Sequence, residues 1–231
     1  MTNHYLDLLA YFGIGGAHPG GFELSKQIFN GEKLTSDLHV LDLGCGTGQS
    51  SEYIRDTFGC EVTGIDQHPI MIQKANERQA DVTFLEGDAE DLPFPDHSFD
   101  FIFTESTIAF TDMPRTLEEI RRVLTPKGTV LFLEMTAEHP IPDSLKKQIM
   151  NLYHIQAIYL ESEWKEELNR AGFTNIECLN IPSNLNESAL SDMNLSPNIP
   201  ESLYDLWDQH AELVEISKKH LGFRTFRCHL G

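Results

Sequence analysis

One stretch limits the architecture more than any other. An apolar run, His39 to Leu43, enters three glycines spaced two apart, Gly44, Gly46 and Gly48, and a helix-forming segment from Ser50 to Phe58 follows. Strand, glycine loop and helix in that order make a βα unit of an open α/β sheet. Glycines there permit positive φ and let a ligand lie against the backbone. The start of the following helix offers free N–H groups and a positive end. In open α/β sheets such a loop lies at the carboxyl ends of the strands, beside the switch point. The glycines fall as GxGxG, and Gln49 stands where the dinucleotide fingerprint GxGxxG needs its third glycine. Asp42, just ahead of them, would repel a pyrophosphate and suits a ligand with an ammonium group. A nicotinamide oxidoreductase is therefore disfavoured.

The alternation continues downstream. Cys60 to Ile65 and Val82 to Leu85 read as strands around a helix from Met71 to Arg78. The turn Pro93-Phe94-Pro95-Asp96-His97 leads into a fourth strand, Phe99 to Phe103, and a helix spans Met113 to Leu124. Pro126-Lys127-Gly128 turns the chain into a fifth strand, Thr129 to Glu134. Later segments read as helices over Ser144 to Tyr159 and Ser162 to Ala171, a strand over Asn175 to Ile181, a polar loop over Pro182 to Pro200, an amphipathic helix over Glu201 to His220 and a last strand over Phe223 to Leu230. Ahead of the first strand, two short helices, Tyr5 to Phe12 and Phe22 to Phe29, flank the glycine-rich loop Gly13 to Gly21. The expected fold is α/β: a doubly wound, mostly parallel, seven-stranded Rossmann-like sheet with helices on both faces and an N-terminal helical cap.

Charge narrows the partners. Among 231 residues, 17 Lys and Arg face 36 Asp and Glu, a net charge of −19. Such a surface repels phosphate backbones, and basic residues gather only in pairs such as Arg121-Arg122 and Lys218-Lys219, so no nucleic-acid partner is expected. Cys45, Cys60, Cys178 and Cys228 form no CxxC pair or zinc-like spacing, which predicts reduced thiols and no metal. No signal peptide and no apolar run of ~20 residues is visible. A cytoplasmic protein with no membrane association is expected.

The glycine segment, Val40-Leu-Asp-Leu-Gly-Cys-Gly-Thr-Gly48, resembles motif I of the class I S-adenosylmethionine methyltransferases. Further motifs agree in order: Gly64-Ile65-Asp66, Glu86-Gly87-Asp88-Ala89, Leu92-Pro-Phe-Pro-Asp-His-Ser-Phe-Asp100, which is similar to the family's LPFPDxSFD, Leu124-Thr-Pro-Lys-Gly128 and Ala171-Gly172-Phe173. The resemblance covers about Leu38 to Asn180. It departs at Thr125 and Lys127 within the fifth-strand turn. It departs again at Thr104 to Phe110, where a small-polar-then-His-His pattern is usual. What the resemblance implies is binding of S-adenosylmethionine, with S-adenosylhomocysteine as product. The implied contacts are Asp42, Gly44, Cys45, Gly46, Gly48, Asp66, Gln67, Met71, Gly87, Asp88, Ala89 and Glu105. Asp66 is to hold the ribose hydroxyls, Met71 to pack on adenine and Asp88 to accept its amino group, although Asp88 also suits a helix cap and Met71 core packing.

The acceptor side carries no motif. Glu105, His18 and His139 are candidate bases, each also readable as a solvated loop or strand-end group. Glu134 ends the fifth strand and either faces the pocket or caps a loop. Tyr153 and His154 read as packing residues. The Gly13 to Gly21 loop, with five glycines in nine residues, serves either as a cover over an anionic group or as a hinge. The expected organisation is a cap or lid over residues 1–37 and a methyltransferase core over 38–231. Insertions at about 137–160 and 182–220 would shape the acceptor side, and the whole is effectively one domain. The expected function is methyl transfer to O, N, S or C of a small-molecule acceptor by in-line displacement. A protein side chain as acceptor, or a non-catalytic S-adenosylmethionine-binding sensor or scaffold, are the alternatives. The scattered cysteines argue against an arsenite acceptor.

Overall fold

The computed structural model describes residues 4–18, 20–179 and 193–231. Seven strands form one sheet: β1 (His39–Leu43), β2 (Glu61–Asp66), β3 (Thr83–Glu86), β4 (Phe99–Glu105), β5 (Leu124–Ala137), β6 (Phe173–Cys178) and β7 (Leu221–Leu230). Their spatial order is β3-β2-β1-β4-β5-β7-β6. The pairs β1/β2, β1/β4, β2/β3 and β4/β5 are parallel, and β7 runs antiparallel to β5 and β6. The chain winds outward from β1 to β3, returns, and winds the other way from β4, which places the switch point between β1 and β4. The expected doubly wound, seven-stranded sheet is what the chain forms.

Eight helices accompany it among the described residues: α1 (His4–Phe12), α2 (Gly21–Asn30), α3 (Gln49–Phe58), α4 (Pro69–Glu77), α5 (Met113–Val123), α6 (Asp143–Tyr153), α7 (Glu161–Arg170) and α8 (Glu201–Ser217). The two-residue period of the strands sorts the core. Leu41, Leu43, Ile102, Val130 and Phe132 meet α5 and α7 on one face. Val40, Phe101, Phe103, Leu131 and Leu133 meet Leu24, Ile28 and Phe29 of α2 and Ile54 of α3 on the other. Each such side chain, fully buried, contributes about 1.5–3 kcal/mol. The two N-terminal helices therefore occupy different places. α2 belongs to a layer against the sheet, whereas α1 packs with α6 and α8 above the strand ends.

Several boundaries differ from the sequence reading for identifiable reasons. α4 starts at Pro69, not Met71, because the His68 side chain caps it and Pro69 suits its first turn. β5 runs from Leu124, and Pro126-Lys127-Gly128 is absorbed as an irregularity between the pairs Phe99/Leu124 and Phe101/Thr129. α6 stops at Tyr153 because His154 turns left-handed (φ +53°); residues 155–160 are not helical. The sixth strand lies over Phe173–Cys178. The expected polar loop falls outside the described residues over 180–192.

Candidate active site

The end of β1 is stitched to β2: the N–H groups of Gly44 and Cys45 both donate to the Ile65 carbonyl, at 2.8 and 3.0 Å. Gly44 takes φ +78°, and a Cβ there would overlap the Thr107 side chain. Gly46 takes φ +52°, and a Cβ there would meet nothing within 4 Å. Space left open beside a left-handed backbone is space for a ligand. Gly48 stands apart from the other expected contacts: it is the left-handed cap of α3, pressed against Phe84, and does not line the cavity.

That cavity measures about 650 Å³ and opens along the strand ends, a size usual for small-molecule sites. Asp42, Gly44, Cys45, Gly46, Asp66, Gln67, Met71, Gly87, Asp88, Ala89 and Glu105 all line it. Asp66 closes β2 with each carboxylate oxygen accepting one backbone N–H: Gly46 at 2.9 Å on Oδ2 and His68 at 2.8 Å on Oδ1. Each oxygen has lone-pair capacity beyond that bond, which two neighbouring hydroxyls can use. Met71 is buried at the cavity wall. Asp88 accepts the Glu90 N–H at 2.9 Å in a turn, so its capping role is local and no helix follows it.

The acids of the site sit in unlike environments. Asp42 is 2% exposed and accepts the Ser51 hydroxyl at 2.5 Å. Burial raises its pKa well above the usual range, and the nearby charges of Glu105 and Asp66 add to this against the Ser51 bond. Asp66 is raised by burial as well, against the two N–H bonds. Carboxyls destabilised as anions in this way gain most from a nearby cation.

Glu105, at the end of β4, is different. Burial pushes its pKa up, but the His18 hydrogen bond and charge, with the Ser25 and Ser50 hydroxyls, bring it to a net lowering. Ser25 of α2 donates to Oε1, Ser50 of α3 donates to Oε2 at 2.5 Å, and His18 Nε2 lies 3.5 Å from Oε1. His18 is itself buried and lines the cavity. Glu105 thus ties the N-terminal segment to the start of α3. His139 is not brought to the site: it is exposed, its ring lies 4.8 Å from that of His220, and it does not line the cavity.

Glu134, on β5, combines both of its sequence readings. It lines the cavity, and its Oε1 accepts the Thr104 hydroxyl at 2.9 Å and the N–H groups of Ile108 and Thr107 at 3.1 and 3.2 Å. It therefore holds the turn Ile108–Phe110 that follows β4. Its other oxygen has no partner among the described residues. Of the individual residues of the far wall, the sequence singled out only Tyr153, as a packing residue, and the structure places it on the cavity. Tyr5 of α1, Tyr153 of α6 and Trp207 and His210 of α8 line the cavity. Trp207 and His210 are three apart on an amphipathic helix. That spacing marks one face but does not say what the face covers.

Comparison with known proteins fixes the class. A family model described as "methyltransferase domain" matches residues 41–132. The chain is 34% identical to the uncharacterized methyltransferase YodH of Bacillus subtilis (strain 168), over 97% of its own length and 98% of that protein. It is 30% identical to the O-methyltransferase resE of Aspergillus sclerotiorum, over 94% of its length and 92% of the relative. In structure it is similar to Haemonchus contortus phosphoethanolamine N-methyltransferase 2, solved with phosphomonomethylethanolamine and S-adenosylhomocysteine. There the TM-score is 0.75 at 23% identity, covering 97% of this chain and 57% of that one. The chain belongs to the class I S-adenosylmethionine-dependent methyltransferase family.

The residues present fit S-adenosylmethionine. Gly46 leaves a cradle that a side chain would fill, and Asp66 retains acceptor capacity for a diol. The buried acids along the wall suit a cationic ligand. On that fit Asp66 and Asp88 would hold the nucleoside portion. The open backbone at Gly46 would lie against it, and Asp42 and Glu105 would border the charged end.

Proposed function

We propose that this methyltransferase acts on a small-molecule acceptor bound under a roof made by α1, residues 14–18 and α8. The observation that carries this reading is the single cavity that joins the motif I glycines to Tyr5, Tyr153 and His210. An acceptor reaching the strand ends must enter that chamber, which suits a metabolite better than a protein surface. The cofactor supplies an electrophilic methyl group on sulfonium. The protein's part is to align the acceptor and exclude water, and positioning alone supplies several kcal/mol of barrier reduction. The similarity to resE along nearly its whole length supports this reading. The four cysteines are all unpaired, which supports a cytoplasmic setting; no helix among the described residues is long and apolar enough to cross a membrane.

Calorimetric titration with S-adenosylmethionine and S-adenosylhomocysteine tests the cofactor half. Wild type is expected to bind both and Asp66→Ala to lose binding. At a hundredfold excess over Kd the ligand adds about 2.7 kcal/mol of stability, a rise in Tm of roughly 5–10 °C for a chain of this size. Equal affinities in wild type and Asp66→Ala would overturn the assignment of Asp66.

A further inference from the structure

The roof of the cavity presents a wall of rings. Tyr5, Phe110, Tyr153, Trp207 and His210 come from four separate segments and all line the cavity. Tyr5 packs edge-on against Tyr153 with ring centroids 4.6 Å apart. It lies 5.3 Å from His210 and nearly parallel to Phe110 at 6.1 Å. Rings at these separations touch one another. They make a continuous surface, unlike an aromatic cage, whose faces stand apart to surround an ammonium group. A flat apolar ring can stack on such a wall.

Beside the Tyr5 hydroxyl, a polar pair interrupts the wall. The Tyr153 hydroxyl and His210 Nδ1 are 3.1 Å apart. Burial holds the His210 imidazole below its usual value, so at neutral pH the ring is uncharged and can accept a proton. Burial pushes the Tyr153 phenol up to about 12, so Tyr153 stays protonated and orients the imidazole. The carboxylates that the strands bring to the cavity make other bonds: Glu105 with His18, Ser25 and Ser50, Asp42 with Ser51, Asp66 with the N–H groups of Gly46 and His68, and one oxygen of Glu134 with the Ile108 turn.

We propose, on the reading of function given above, that this ring wall is the acceptor subsite, that the acceptor is an aromatic compound bearing a hydroxyl group, and that the Tyr153–His210 pair binds that hydroxyl and takes its proton. With His210 Nδ1–H donating to the Tyr153 oxygen, Nε2 is the free acceptor: the O–H bond of the acceptor breaks, its proton joins Nε2, and oxygen keeps the pair that forms the new O–CH3 bond. The pair of the broken S–CH3 bond stays with sulfur. His210 was silent in the sequence because its partner is supplied by α6, 57 positions away.

The test uses 4-nitrophenol as an aromatic hydroxyl probe and choline as a quaternary ammonium control. Saturation with S-adenosylhomocysteine is measured first by calorimetry. Failure at that step counts against the cofactor reading, whereas loading without any 4-nitrophenol binding overturns the present proposal. The expected result is saturable 4-nitrophenol binding to the loaded protein, with quenching of tryptophan fluorescence and a red shift of the bound chromophore. His210→Phe should keep the ring contact, binding within about threefold of wild type, under 1 kcal/mol, yet lose the red shift. Tyr153→Phe, which removes only a hydroxyl, should reduce the shift. Tighter binding of choline than of 4-nitrophenol, or a shift unchanged in His210→Phe, would overturn the proposal.

Discussion

Glu134 is fully buried, and burial pushes its carboxyl up to about 7 against the bonds from Ile108, Thr104 and Thr107. The folded state therefore holds a proton that the unfolded chain has already released between about pH 4.5 and 7. Stability from this group is complete below pH 4.5 and is lost as pH rises through 7. Glu134→Gln should remove that slope. The gap between wild type and variant, followed by urea unfolding from pH 5 to 8, should change by about 3 kcal/mol at most. Identical slopes would show that Glu134 is ionised throughout.

Residues differed in how far the sequence exposed them. Asp66 was legible because a motif places it at a strand end, where chain direction alone decides its neighbours. Glu134 was ambiguous because both of its roles use the same position. His18 and Glu105 were each named, but not their pairing, which depends on how α2 packs over the sheet. His139 looked equivalent to His18 in sequence. Only the path of the chain beyond β5 separates them, since it leads His139 toward His220 and away from the cavity.

At the scale of elements, one arginine explains why the Leu92–Asp100 stretch has a fixed shape. Arg122 of α5 donates to the Phe94 carbonyl at 2.6 Å and the Leu92 carbonyl at 2.9 Å. Its partner Glu119 takes two further bonds from it at 2.7 Å and accepts the Leu92 N–H at 2.7 Å. The arginine and glutamate thus clamp the crossover between β3 and β4 from one helix. Arg122→Met keeps the apolar stem and removes the donors. Loss of charge-assisted bonds of this kind costs about 1.5–3 kcal/mol each when buried and less at this half-exposed site. The expected outcome is a drop in Tm of a few degrees with the affinity for S-adenosylhomocysteine unchanged. An affinity loss larger than the stability loss would show that the clamp also sets the site. Element order and type could be read from the alternation of apolar runs and turns. Ends were less legible where a cap or an irregular register decided them, as at His68-Pro69 and Pro126-Lys127-Gly128. The sequence also did not separate α1 from α2, since both are short amphipathic helices and only one meets the sheet.

Over the whole molecule the excess of acids dominates, with a net charge of −19. Like charges spread over a compact body repel, and salt screens them over about 10 Å at 0.1 M. Tm should therefore rise as sodium chloride goes from 10 to 300 mM, until the Debye length falls below the spacing of the surface acids. A fall over that range would mean that the exposed ion pairs, such as Lys218 with Glu215, outweigh the general repulsion.

The antiparallel strand β7 has a consequence for how the molecule is made. It is the last strand in the sequence, yet it sits between β5 and β6. A growing chain, extended at ~5–20 residues per second, completes β6 well before its neighbour in the sheet exists. Until Leu221 to Leu230 emerge, β6 has nothing to pair with, and the outer side of β5 stays open. The half of the sheet that carries motif I can close early from local βα units. The half that supplies Glu134 and supports the roof must wait for the final stretch. The order of synthesis thus makes the pairing of β7 the step that sews the interior of the sheet together.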